Sequence, residues 1–148
     1  MLEYSKVIFV TDTDTSLGPL AAALLKHYLP QERATIESKG LAVLFPEPMN
    51  PKTVAASKGI EIDRSSVQLT GEDFGKDVLV LVLDETKKQG IYDDFAEAVN
   101  VYTLKEYINE QGSITNPDGG ELADYAKLYD TVDEVIIKLA NKLKHNKI

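Results

Sequence analysis

Cysteine and tryptophan are both absent from this 148-residue chain, and histidine occurs only at His27 and His145. Without cysteine there are no disulfides, no thiolate nucleophile and no cysteine ligands for a metal. The two histidines read as surface residues, so imidazole catalysis is poorly supplied. No apolar run approaches the ~20 residues that span a bilayer, and the opening Met1-Leu2-Glu3-Tyr4-Ser5-Lys6 lacks a signal-peptide pattern. The expectation is therefore a cytoplasmic protein with no membrane partner. Positive charge is also scarce: 16 Lys+Arg against 24 Asp+Glu leave a formal net charge of -8. That argues against a nucleic-acid partner, whose backbone is gripped by clustered Lys and Arg. Basic residues gather only at Lys138, Lys142, Lys144 and Lys147, read as a solvated helix end that complements the dipole.

What is present is a chain of about one domain's length, 43% hydrophobic, enough to bury a sizeable core. Residues 1–148 read as a single domain, with no internal repeat, low-complexity tract or linker. Val7 to Val10, Val78 to Leu83 and Val99 to Leu104 are short apolar runs of the kind that form buried parallel strands. Ala34 to Ser38 is a fourth, less apolar candidate. Pro19 to Leu29 places proline near a helix start, and Asn50 precedes Pro51-Lys52-Thr53-Val54-Ala55-Ala56 as a cap. Leu122, Tyr125, Leu128, Tyr129, Val132, Val135, Ile136, Leu139 and Leu143 recur at three- and four-residue steps, predicting a long C-terminal helix with one stripe on the core. Strands alternating with helices predict an α/β fold, a parallel sheet covered on both faces. Its ligand crevice should lie beyond the carboxyl ends of the strands. The loop from Thr11 to Gly18, Asp84, and the turn Asn116-Pro117-Asp118-Gly119-Gly120 all fall there.

Val10-Thr11-Asp12-Thr13-Asp14-Thr15-Ser16-Leu17-Gly18-Pro19 links a strand to a helix, so its amides are placed to face an anion. Its side chains do not suit one, because the loop holds two carboxylates and no Lys or Arg. With it go Glu37-Ser38-Lys39-Gly40-Leu41, Glu47-Pro48-Met49-Asn50-Pro51, Gln68-Leu69-Thr70, Val80-Leu81-Val82-Leu83-Asp84, Val101-Tyr102-Thr103-Leu104-Lys105-Glu106-Tyr107 and Asn116 to Gly120. By the order and spacing of these segments the chain resembles the low-molecular-weight protein tyrosine phosphatase family, including its bacterial arginine-phosphatase branch, over nearly its whole length. The resemblance implies a three-layer fold, a four-stranded parallel sheet with helices on both faces, and no cofactor.

Family enzymes use a Cys-x5-Arg-Ser/Thr loop and a distant Asp as acid. The resemblance puts Thr11 at the nucleophile position, Leu17 at the arginine, Gly18 at the following hydroxyl and Asn116 at the acid; all four depart from the pattern. An aliphatic alcohol is not ionised at neutral pH without an adjacent base. Leucine cannot supply the charged fork that grips phosphoryl oxygens, and an amide cannot act as a carboxylic acid. Asp14 takes the place of the family's loop Asn and Thr13 that of its Gly, while Asp12 and Asp14 bring negative charge to the anion's position. The expectation is a pseudophosphatase, with no catalytic residues, that binds an unidentified protein or small molecule. Its ligand candidates are Thr11, Asp12, Thr13, Asp14, Thr15, Ser16, Leu17 and Asp118, with Leu44 and Phe45 as a rim or, equally, packed under a loop. Tyr92, Tyr102, Tyr107, Tyr125 and Tyr129 read as packing or surface residues.

Two alternatives start from the same carboxylates. Asp12-x-Asp14 after an apolar strand is similar to haloacid-dehalogenase phosphatases, where the first Asp is nucleophile, the second acid/base, and Mg²⁺ is required. Asp12 and Asp14, with Asp118, are also weak candidates for a Mg²⁺ or Ca²⁺ site. A nucleotide-binding loop is discounted, because Ser16-Leu17-Gly18-Pro19 lacks the Gly-Lys-Ser/Thr ending.

Overall fold

A computed structural model of the protein describes residues 4–29, 34–57, 66–114 and 120–145. Its centre is the run that the sequence makes most apolar. Strand β1 (Lys6–Thr11) pairs in parallel with β2 (Thr35–Gly40) on one side and β3 (Val78–Val82) on the other, and β3 pairs in parallel with β4 (Val101–Thr103). The sheet order is β2-β1-β3-β4. Side chains alternate across it, as a two-residue period requires. Val7, Phe9, Leu79 and Leu81 join the core beneath helices α1 (Leu17–Tyr28) and α5 (Leu122–His145). Ile8, Val10, Val80 and Val82 join a second core with Leu69, Val101 and Ile91, the last on helix α3 (Glu85–Asp94). Central strands are thus apolar throughout because both faces are covered. β2 is the weaker candidate because it is an edge, with Glu37 and Lys39 only partly buried and paired to Lys6 and Asp73.

Asn50 caps helix α2 (Pro51–Ala56) as expected, its side chain accepting from the Lys52 N–H at 2.9 Å. Four readings need correction. The apolar run Val99 to Leu104 yields a strand of only three residues: Asn100 is left-handed at φ 56°, and Thr103, the last residue of β4, caps helix α4 (Leu104–Tyr107) in a reciprocal pair with Glu106. Leu83 lies past the end of β3, where Asp84 caps α3. Leu122 is half exposed at the start of α5, outside the buried stripe. The basic cluster is more than a solvated helix end, since Lys138 pairs with Glu110, and Lys142 donates to the Tyr107 carbonyl and lies over that ring. His27 and His145 are exposed. Among the described residues no helix is long and apolar enough to cross a membrane.

Candidate functional site

After β1 the chain runs outward to β2, and it later returns to the other side of β1 to form β3. The carboxyl ends of β1 and β3 therefore flank a topological switch point, where a sheet of this kind opens a crevice. A cleft of about 450 Å³ lies there, lined by Val10 and Thr11 from β1, Asp12, Thr13, Ser16 and Leu17 from the following loop and helix, and Leu83, Asp84, Lys87 and Ile114.

Backbone ties fix the loop. Carbonyls of Thr11, Asp12 and Thr15 accept from Leu41, Ala42 and Asn50 at 2.9, 2.8 and 2.7 Å. Gly40 makes this approach feasible: a Cβ there would stand 3.0 Å from the Asp12 carbonyl oxygen and 2.6 Å from Val43. Asp14 is left-handed at φ 58°, a conformation aspartate tolerates. Thr13 is not among the left-handed residues described, so it fits without glycine's freedom.

The two loop carboxylates diverge. Asp14 is fully buried, and its Oδ2 accepts from the Val67 N–H at 2.9 Å, so it braces the loop from below and does not line the cleft. This corrects the expectation of two negative charges at the anion position. It also separates the supposed metal pair, because Asp12 is exposed and meets the Lys87 ammonium at 3.0 Å. Among the described residues no cluster of three His, Asp or Glu side chains is arranged to hold a metal ion.

Thr11 and Leu17 stand where the resemblance puts nucleophile and arginine. Thr11 Oγ1 is shielded from solvent, has no hydrogen-bond partner among the described residues, and faces Gly18, where an added Cβ would sit 3.0 Å away. Among the described residues no base is hydrogen-bonded to it. Leu17 is 2% exposed and belongs to the core beneath the sheet. Ser16 Oγ is bound to Thr53 Oγ1 at 2.6 Å and leaves α1 without a side-chain cap. Thr15 shares a hydrogen bond with Thr13 and is not on the cleft lining. Leu44 and Phe45 are 89% and 77% exposed, which overturns the view that they pack under a loop. They belong to a segment pinned by Gln68 to Val43 and by Ser66 to Glu47, and neither is among the lining residues. Asn116 and Asp118 lie outside the described residues.

The sequence reading missed Lys87, the one cation among the described lining residues. Its signal was the cap: Asp84 Oδ1 accepts from the N–H and hydroxyl of Thr86 at 2.8 and 2.9 Å, which starts a helix whose first turn carries Lys87 back to the cleft. Those bonds, then the Lys87 charge, hold the Asp84 carboxyl below the usual carboxylate range.

Residues 6–148 match the family described as low molecular weight phosphotyrosine protein phosphatase. The chain is 31% identical over 145 residues to a protein-arginine-phosphatase of Geobacillus stearothermophilus, covering 94% of this chain and 96% of that protein. It is 26% identical over 143 residues to the low molecular weight protein-tyrosine-phosphatase PtpB of Staphylococcus haemolyticus, covering 95% and 99%. The solved structure of YwlE arginine phosphatase from Geobacillus stearothermophilus superposes with a TM-score of 0.87 at 29% identity, covering 95% and 94%.

Proposed function

The chain belongs to the low molecular weight phosphotyrosine protein phosphatase family, and from that premise we propose that it is a catalytically degenerate member, a binding or regulatory protein of the cytoplasm. The observation that carries this reading is the end of β1. Thr11 occupies the floor of the cleft as an un-ionised, solvent-shielded hydroxyl, and the neighbouring position that would need a guanidinium holds the buried Leu17. Phosphoryl transfer depends on positioning and on charge that stabilises the transition state. The described lining residues offer one ammonium, and Asp12 already offsets it. The partner is a protein or small molecule, and no cofactor is required.

The test is hydrolysis of p-nitrophenyl phosphate and of a phosphoarginine peptide by the purified protein, with and without Mg²⁺. The expected result is no turnover above background. Metal-independent turnover would refute the reading, and turnover with Mg²⁺ abolished by Asp12→Asn would replace it with metal-dependent hydrolysis.

A further inference from the structure

An ion pair joins the two banks of the cleft. Asp12 follows β1, and Lys87 stands in the first turn of α3, the helix that follows β3. Asp12 Oδ1 and the Lys87 ammonium meet at 3.0 Å, and both residues belong to the lining. Thr11 lines the cleft as well, yet its hydroxyl oxygen is shielded from solvent. We propose that the Asp12–Lys87 pair is a side-chain latch across the mouth of the cleft, a contact that limits access to the floor at Thr11 and that ionic strength opens. The latch goes beyond the reading of the cleft as non-catalytic and does not depend on it.

Both ends of the latch are anchored, so only side chains need to move. The Asp12 carbonyl accepts from the Ala42 N–H at 2.8 Å, and the Lys87 N–H donates to the Asp84 carbonyl at 3.1 Å in the turn that Asp84 caps. By its own helix alone lysine is poorly placed there, because a cation in a first turn meets the positive end of the dipole. Asp12 and Asp84, which share the lining with it, offset that cost. The closed arrangement is nevertheless weak. The Lys87 and Asp12 side chains remain 40% and 58% exposed, and exposed pairs are worth little and are screened by salt. A contact of that strength biases the mouth toward closure by about two- to fivefold without locking it.

Because the chain has no cysteine, Thr11→Cys puts a single reporting thiol on the floor. The experiment follows its alkylation by neutral iodoacetamide in the full chain at neutral pH. The rate is expressed per thiolate, with the ionised fraction read from ultraviolet absorbance, so that a shifted thiol pKa does not enter. Adding Lys87→Ala or Asp12→Asn should each raise this rate by about two- to fivefold, although the two substitutions change the local charge in opposite directions. Lys87→Arg keeps a cation for Asp12 and should leave the rate at its paired value. Raising salt from about 0.1 to about 1 M, which shortens the Debye length from about 10 to about 3 Å, should speed alkylation in the paired chain and not in Lys87→Ala or Asp12→Asn. A rise in one variant with a fall in the other would assign the effect to charge alone and overturn the latch. A rate indifferent to both substitutions, or an equal salt response with and without the pair, would overturn it too.

Discussion

Replacing Gly18 by alanine tests whether the loop has been rebuilt around Thr11. A Cβ at position 18 would stand 3.0 Å from Thr11 Oγ1 and 3.2 Å from its Cγ2, closer than ordinary van der Waals contact. Overpacking of this kind costs about 1–3 kcal/mol, while alanine in a helix gains about 0.5–1 kcal/mol over glycine. The net for Gly18→Ala in the native background is thus a loss of about 1 kcal/mol. Thr11→Ala removes both offending atoms, together with a shielded hydroxyl that has no partner among the described residues, and should be near neutral by itself. In that background Gly18→Ala should turn stabilising, by about 0.5 kcal/mol, from propensity alone. The two substitutions therefore couple by about 1.5 kcal/mol, measurable from urea midpoints at constant m in a double-mutant cycle. An equal cost of Gly18→Ala in both backgrounds would refute the reasoning and show that Thr11 yields freely.

Restoring Thr11→Cys, Leu17→Arg, Gly18→Ser and Asn116→Asp together should produce weak p-nitrophenyl phosphate hydrolysis, because the loop backbone is braced independently of those side chains; a folded but inactive variant would show that the brace does not preserve the required shape. Asp14→Ala should destabilise by about 2–3 kcal/mol, since it leaves the Val67 N–H unsatisfied and puts a β-carbon residue with no side-chain oxygen at a left-handed φ; Asp14→Asn keeps an acceptor and should recover most of the loss, as read by urea denaturation. Tyr28 donates to Asp133 at 2.5 Å, and this bond to a carboxylate, with burial second, pushes its hydroxyl up to about 12 from 10.0. The protonated phenol is the form that folding favours, so the contribution is complete below pH 10 and disappears as pH rises through about 12. Ultraviolet titration should show a late-titrating component that is lost in Tyr28→Phe; an unchanged titration curve would contradict the bond.

Strands buried on both faces announce themselves by composition, and so β1 and β3 were legible from Val7 to Val10 and from Val78 onward. α5 was legible because its stripe from Tyr125 to Leu143 meets the core at helical spacing. α3 was not, because Glu85-Thr86-Lys87-Lys88-Gln89-Gly90 is polar, and Ile91 is its one buried residue among those described. The candidate site divides in the same way. Which residues stand at the end of β1 follows from the order of segments; the absent thiol follows from composition, and the absent guanidinium from the residues of the loop itself. Directions do not. Asp12 and Asp14 are equivalent carboxylates in the sequence, and only the position of Val67, 53 residues on, decides that one faces inward and the other meets Lys87. The cation itself arrives from a helix 75 residues away from Asp12, a pairing that no local pattern records.

The near absence of space between Gly40 and the Asp12–Thr13 backbone makes the floor of the cleft and the segment carrying Leu44 and Phe45 one mechanical unit, joined again by the Leu41 and Ala42 amides. A side chain added at Gly40 would therefore press on the β1 loop and on Val43, next to Leu44 and Phe45, at once.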